Sequence, residues 1–159
     1  MLEDPTGLFE NPHERFMRAA IQEAEQAYEE DEVPVGAVVV AHGRIIARAY
    51  NQTERLNDAT AHAEMLALTS AESHFGGKVL EACTLYVTLE PCLMCAGACY
   101  WTRIGRIVVG ARDPKRGFLT YQQPEGRSML HPKTEYMDGI MAEECGDLLS
   151  RYFRSKRKT

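Results

Sequence analysis

Segments with helical periodicity alternate with segments of strand character along this chain, and that alternation limits the folds it can adopt. The first helix is predicted to begin after Asn11, which suits an N-cap and precedes a proline and apolar residues at spacings of three and four. Two apolar, β-branched runs, 35–41 and 44–50, flank His42-Gly43, a pair suited to a tight hairpin loop. The sequence therefore predicts a helix followed by two antiparallel strands.

The same alternation continues through the rest of the chain. Thr60 suits the N-cap of a helix over 61–73, and Pro91 suits the first turn of a later helix. We predict further strands at 84–89 and 106–110, helices at 91–102 and 141–156, and a long loop at 112–138 that contains one short strand near Glu135. Helices that alternate with strands in this way predict an α/β fold.

The composition limits the class of protein. The chain has 159 residues, of which 45% are hydrophobic and 26% charged, values that are typical of one globular domain and exclude a disordered or coiled-coil chain. Its apolar runs are a few residues long, far short of the roughly 18 residues that span a bilayer. Residues 1–11 lack the basic and apolar layout of a secretory signal, so we expect a cytoplasmic protein without a membrane partner.

The charge is unevenly distributed along the chain. The formal net charge is -5, with acidic residues concentrated in 1–32 and basic residues in 151–158. This distribution neither requires nor excludes a nucleic-acid partner.

The five cysteines fall into two groups. In a chain without an export signal they argue against a disulfide framework. Cys92 and Cys95 are separated by two residues, a spacing compatible with a redox pair, half of a structural zinc site or two core residues on one helix face. Cys83, Cys99 and Cys145 lie in apolar or helical contexts without ligand spacing, and we assign them to packing.

His62 and Glu64 add a catalytic interpretation to the cysteine pair. One imidazole and two thiolates make a three-ligand zinc site with a fourth position free for water, which is the arrangement of catalytic zinc. Such a site lowers the pKa of the bound water towards neutrality. Glu64, at a helix start, can lie beside that water as a proton shuttle. The structural alternatives are a helix-cap histidine and a first-turn acid that favours the helix dipole.

Two short strings carry a resemblance to a known family. Residues 60–64 read Thr-Ala-His-Ala-Glu and residues 90–97 read Glu-Pro-Cys-Leu-Met-Cys-Ala-Gly, and both match the signature of the zinc-dependent nucleoside deaminases. Within that superfamily the chain is most similar to the bacterial tRNA-specific adenosine deaminases, and the likeness covers almost the whole chain. The other matching segments are 33–37, Asn51, 84–97, 103–106, 110–113 and Phe153-Arg154. The stretch from Pro114 to Met137 departs from the usual sequence of the family.

The resemblance implies a fold, a cofactor and a reaction. The fold is a single zinc-dependent deaminase domain over residues 1–159, with three layers and a mixed five-stranded sheet between helices, as in cytidine deaminases. One zinc ion per chain is held by His62, Cys92 and Cys95, and Glu64 moves protons. The implied reaction is hydrolytic deamination of adenosine to inosine at the wobble position of a tRNA anticodon, by zinc-activated hydroxide.

The resemblance also implies substrate contacts and partners. Asn51, Ala63 and Asp113 correspond to positions near the bound nucleotide, the partner is a tRNA anticodon stem-loop, and the family is typically homodimeric. The basic C-terminal segment, with Tyr152 and Phe153, is a candidate surface for phosphate contacts and base stacking.

Two alternatives remain at this point. Tyr100-Trp101 resembles the free guanine deaminases of the same superfamily, so one alternative is a deaminase of a free base or nucleoside, of the guanine or cytosine type. The other is a non-catalytic zinc-bearing binding module. A structural site normally has four protein ligands, and the sequence offers no obvious fourth.

Overall fold

The computed structural model describes residues 11–122 and 128–157, and these residues form five helices and five strands. Asn11 caps the first helix as predicted, because its Oδ1 accepts a 2.9 Å hydrogen bond from the backbone N–H of His13. The helices are α1 Pro12–Glu29, α2 Ala63–Phe75, α3 Leu93–Thr102, α4 Phe118–Tyr121 and α5 Ala142–Arg157. The strands are β1 Gly36–Ala41, β2 Arg44–Tyr50, β3 Cys83–Leu89, β4 Arg106–Ala111 and β5 Glu135–Met137.

The strands form one mixed sheet in the order β2-β1-β3-β4-β5. β1 pairs antiparallel with β2 and β3, whereas β4 pairs parallel with β3 and β5. The β1–β2 hairpin turns at His42 and Gly43, whose φ angles of 51° and 74° are left-handed, as a type I′ turn requires. The predicted mixed sheet and the predicted hairpin are both confirmed.

Helices cover both faces of the sheet. Alternate residues of a strand point to opposite faces, so Val39 packs in a cluster with α2 and α3, whereas Val38 packs in a second cluster with α1 and α5. A side chain at Gly36 would collide with the carbonyl oxygen of Ala20, so the glycine lets α1 lie directly on the edge of β1. The predicted three-layer α/β architecture is confirmed.

The starts of two helices differ from the prediction. Thr60 does not cap α2, because its N–H and its hydroxyl both donate to Oδ1 of Asp58, at 2.8 Å each. His62 takes the N-cap position instead. Likewise α3 begins at Leu93 with Cys92 as its N-cap, two residues after the predicted start at Pro91.

The segment predicted as a long loop is more ordered than expected. It contains the short helix α4, which the sequence analysis missed, and the strand β5, which it predicted near Glu135. Residues 123–127 of this segment lie outside the described residues. Within the described ranges, no helix combines the length and apolar character needed to cross a membrane.

The parallel pair β3 and β4 determines where a site can form. Leu89 and Ala111, the last residues of these two strands, are register partners. The loop before α3 and the loop before α4 therefore leave the sheet at the same edge. In α/β sheets, ligands bind outside the carboxyl ends of the strands, and both loops lie at that position.

Candidate active site

The side chains of His62, Cys92 and Cys95 converge at this edge of the sheet. Nδ1 of His62 lies 3.6 Å from the Sγ atoms of both cysteines. The three potential ligand atoms all lie within 4.8 Å of one another. The structure thus brings together the residues that the sequence analysis assigned to the metal.

Two helix N-termini bring these side chains together. His62 is the N-cap of α2 and Cys92 is the N-cap of α3, and both have extended backbone with φ of −74°. Neither side chain caps its own helix, so the imidazole and the thiol remain available to each other. The positive ends of both helix dipoles meet here and favour thiolates.

The spacing of the ligand atoms fits zinc. Zinc bonds of about 2.3 Å to sulfur and about 2.0–2.1 Å to nitrogen, at tetrahedral angles, separate a nitrogen and a sulfur ligand by about 3.6 Å. The two distances from His62 Nδ1 match that separation. Among the described residues, the group contains these three ligands and no fourth. A tetrahedral ion held here keeps one position for water or substrate, as catalytic zinc does.

The two thiols differ in their ionisation. Hydrogen bonds from Cys95 and His62 lower the pKa of Cys92 to about 4. The same hydrogen bond between the thiols, together with burial, raises the pKa of Cys95. One negative charge is therefore favoured at this pair, and the second requires a cation. This donor set fits a metal site, in which the cation compensates the charge of the second thiolate.

Glu64 lies beside the ligand group without belonging to it. Its side chain is buried in the first turn of α2, near the Cys95 thiol. Burial raises the pKa of Glu64 to about 7. A carboxyl group that titrates near neutrality can both accept and donate a proton, which is what a shuttle requires.

The residues predicted to contact substrate differ in how they connect to this centre. Ala63 is the fully buried first residue of α2, directly after His62. Asn51 is buried at the end of β2, and the next residue, Gln52, donates its N–H to the carbonyl of Ala61 at 3.0 Å. That hydrogen bond holds Asn51 next to the N-terminus of α2.

Asp113 is less directly connected to the centre. Its carboxylate accepts hydrogen bonds from the N–H groups of Lys115 and Arg116, at 3.1 and 3.0 Å, within its own turn. Its own N–H donates to the carboxylate of Glu90, two residues before Cys92. The structure therefore links Asp113 to the site through Glu90.

Two buried glutamates escaped the sequence analysis. Glu90 has a side chain 1% exposed, and Glu32 is 1% exposed as a residue. Each carboxylate accepts two backbone N–H groups from a loop, those of Asp113 and Leu119 for Glu90 and those of Glu54 and Arg55 for Glu32. The sequence signal that could have indicated the role of Glu90 is its position, because it is a charged residue between an apolar strand and the Pro-Cys motif.

The C-terminal helix changes one expectation. Tyr152 is 8% exposed, stacks edge-on against Tyr28 and donates its hydroxyl hydrogen bond to the carbonyl of Asp31. It is therefore part of the packing between α5 and α1, and it does not offer a stacking face to a base. Phe153 is 47% exposed, and its ring is the one that this pair presents to solvent. Lys158 and Thr159 lie outside the described residues.

The remaining cysteines behave as predicted. Cys83, Cys99 and Cys145 are buried, free and absent from the ligand group. Their assignment to packing is confirmed.

Comparisons with known proteins agree with the geometry. The family model of the cytidine and deoxycytidylate deaminase zinc-binding region matches residues 10–111. The tRNA-specific adenosine deaminase of Bacillus subtilis strain 168 is 47% identical over 146 residues, covering 91% of each chain. That of Agrobacterium fabrum is 44% identical and covers 89% of this chain and 94% of its own.

Two solved structures share the fold of this chain. A structure from a study of A-to-I editing by tRNA:A34 deaminases at the wobble position of transfer RNA is 43% identical, with a TM-score of 0.76 and coverage of 85% of this chain and 99% of that chain. The guanine deaminase of Bacillus subtilis is 30% identical, with a TM-score of 0.63 and coverage of 92% and 94%.

Fold, site and relatives together define a zinc-dependent deaminase. The chain belongs to the family that carries the cytidine and deoxycytidylate deaminase zinc-binding region, and its relatives from Bacillus subtilis and Agrobacterium fabrum at 47% and 44% identity are tRNA-specific adenosine deaminases.

Proposed function

We propose that this enzyme deaminates adenosine to inosine at the wobble position of a tRNA anticodon. The observation that carries the proposal is the group of His62, Cys92 and Cys95 with the buried, non-ligating Glu64 beside it. The substrate follows from the relatives, because they match the chain over about nine tenths of its length.

The mechanism assigns one role to each residue of the centre. His62, Cys92 and Cys95 hold the zinc ion, which when bound supplies a Lewis acid that activates water at neutral pH. Glu64 takes a proton from the attacking water and delivers it to ring N1 as the oxygen adds to C6. Glu64 then takes the proton of the new C6 hydroxyl and passes it to the amino group. The C6–N bond breaks and the C6 carbonyl forms, so that adenosine and water become inosine and ammonia.

We assign the recognition of the base to the neighbours of the centre. Asn51 presents an amide that can both donate and accept hydrogen bonds, and its loop is tied to residue 61 at the start of α2. Ala63 places a small side chain beside the base. We assign Asp113 a supporting role, through the turn that its carboxylate stabilises.

An anticodon loop is a suitable substrate because its nucleotides are unpaired. Presenting such a base to a pocket costs little unstacking energy compared with a duplex. The last turns of α5 carry Arg151, Arg154, Lys156 and Arg157, a local basic surface on a chain whose net charge is -5. We assign phosphate contacts to this surface, with Phe153 as an exposed ring beside it.

We further propose that two copies of this single-domain chain associate through α3. Trp101 is 80% exposed, and Tyr100 and Leu93 on the same helix are 40% and 46% exposed. Tyr100 stacks edge-on against Trp101, and Leu93 lies about two turns earlier on the same helix, so all three side chains add exposed apolar area to α3. In this proposal a homodimer covers this surface, and we propose a cytoplasmic location because the proposed substrate is a tRNA.

The decisive experiment compares substrates side by side. Purified protein is incubated with an anticodon stem-loop RNA, free guanine, cytosine and adenosine, and inosine and ammonia are measured, with Glu64→Gln as the inactive control. We expect inosine in the RNA at the wobble position and little turnover of the free compounds. Ammonia from guanine without inosine in the RNA would favour the alternative that Tyr100-Trp101 and the 30% identical guanine deaminase suggest.

A further inference from the structure

Glu90 is a buried carboxylate that the reaction described above does not use. Burying a charged group is costly unless hydrogen bonds satisfy it. Glu90 Oε1 accepts the N–H of Asp113 at 3.1 Å, and Oε2 accepts the N–H of Leu119 at 3.0 Å. The Arg112 guanidinium lies 3.7 Å from Oε1. Both carboxylate oxygens therefore accept hydrogen bonds from the segment that follows β4, which includes the start of α4.

The backbone reinforces the same connection from the other side. The N–H of Glu90 donates to the carbonyl of Ala111 at 2.8 Å, and the N–H of Phe118 donates to the carbonyl of Pro91 at 2.9 Å. Residues 90–91 and 111–119 are thus joined by four hydrogen bonds. These bonds lie immediately before Cys92.

Gly117 provides an independent observation. A side chain at this position would collide with the carboxylate of Glu90 and with the carbonyl oxygen of Asp113. The loop can close over the carboxylate because residue 117 has no Cβ. The position of the Glu90 carboxylate therefore explains why residue 117 is a glycine.

We propose that Glu90 is a positioning residue that holds residues 112–119 as one wall of the substrate pocket; this rests on the function proposed above. The loop leaves β4 at the same edge of the sheet as the loop that carries Cys92, because β3 and β4 are parallel. Within the described part of the chain, the Glu90 carboxylate accepts hydrogen bonds from the amides of this wall and makes none with the ligands His62, Cys92 or Cys95. Glu90 consequently acts on substrate binding rather than on the metal.

The test uses Glu90→Gln, with Glu81→Gln as the matched control because Glu81 is exposed. Glutamine keeps the size of the side chain but turns an NH2 group towards one of the two donating amides, so one hydrogen bond is lost. We expect amide hydrogen exchange at Asp113 and Leu119 to accelerate about tenfold, and the KM for the stem-loop to rise by a similar factor. Zinc should stay at one per chain, with kcat within a few fold of the unmodified enzyme.

A second variant, Gly117→Ala, disturbs the same contact without changing any charge. It should reproduce the faster exchange and the higher KM, and the double variant should lose less than the sum of the two because both act on one contact.

Three results would overturn the inference. Unchanged exchange in Glu90→Gln would mean that the carboxylate does not hold the loop. Zinc lost in step with activity would assign Glu90 to the metal ligands, and a fall in kcat at constant KM would remove the loop from substrate binding. If the unmodified protein does not deaminate the stem-loop, the proposed function fails, whereas the exchange and zinc measurements still decide whether Glu90 holds the loop.

Discussion

Nδ1 of His62 lies 3.6 Å from Sγ of Cys92, although 30 residues separate the two in the chain. The contact exists because each residue occupies the N-cap of a helix and leaves the capping role unfilled. A helix start normally gains stability from a capping side chain. The chain lacks this stabilisation at the starts of α2 and α3. The two side chains that do not cap their helices, those of His62 and Cys92, instead face the same point.

The first prediction separates metal binding from proton transfer. Glu64→Ala should retain one zinc per chain and lose turnover by a factor of about 10²–10⁴, because a positioned acid-base group contributes that much. Cys92→Ala should lose both zinc and turnover. Metal analysis beside inosine formation checks this. Zinc lost from the Glu64 variant in proportion to its activity would make Glu64 a ligand.

The second prediction concerns Cys99, one helical turn after Cys95. Its thiol is fully buried in the core, and burial raises its pKa, so it packs as a neutral apolar group. Cys99→Ala should reduce the free energy of unfolding by about 1–2 kcal/mol and leave zinc unchanged. Denaturant unfolding and metal analysis measure the two effects. A metal-free Cys99→Ala protein would indicate a fourth ligand.

The third prediction is that the metal stabilises the fold. Its ligands come from two separate helices, so bound zinc links α2 to α3. Zinc at about 1,000 times its dissociation constant adds about 4 kcal/mol, which corresponds to a rise in Tm on the order of 10 °C. Chelation should lower Tm by that amount and added zinc should restore it. His62→Ala provides the control, and its Tm should respond to neither treatment.

The sequence predicted the elements with strong local signals and missed those whose local signal is weak or ambiguous. His42-Gly43 specifies the hairpin by its own backbone preferences, and Asn11 specifies the start of α1 through the N–H of His13. The helix at 118–121 escaped because four residues show no periodicity. Thr60 was wrongly predicted as a cap because Asp58, two residues earlier, accepts both its N–H and its hydroxyl, and the local sequence is compatible with either pairing.

The candidate site follows the same rule. The metal residues and Glu64 are recognisable because two short motifs, at 60–64 and 90–97, together contain all the ligands that a catalytic zinc requires. The role of Glu90 is not local, since its amide partners lie 23 and 29 residues further along the chain. Similarly, the burial of Tyr152 depends on Asp31, which is 121 residues away.

The fourth prediction concerns Glu32, which holds the loop after Asn51. Its carboxylate accepts the N–H groups of Glu54 and Arg55, at 3.0 and 2.7 Å. Glu32→Ala leaves both amides without that partner and should cost about 1–3 kcal/mol of the free energy of unfolding. Denaturant unfolding measures the loss, and the exposed Glu29→Ala should remain within about 0.5 kcal/mol of the unmodified protein.

Glu32→Ala should also weaken binding of the stem-loop, because the same loop begins with the proposed base contact Asn51. Zinc content should not change, because among the described residues the Glu32 carboxylate accepts hydrogen bonds from this loop and makes none with the ligand group. Loss of stability with unaltered affinity would restrict Glu32 to the fold.

The last prediction tests the basic surface of α5. Arg154 and Arg157 lie in the final turns of the helix and are exposed. If they contact phosphates, replacing both by alanine releases fewer counterions when RNA binds, so the logarithm of affinity should fall less steeply with the logarithm of salt. Each lost contact should reduce that slope by about 0.7 to 1. The measurement is stem-loop affinity at several salt concentrations. Arg44→Ala in the β1–β2 hairpin serves as control, and an equal reduction there would attribute the effect to net charge instead of to this surface.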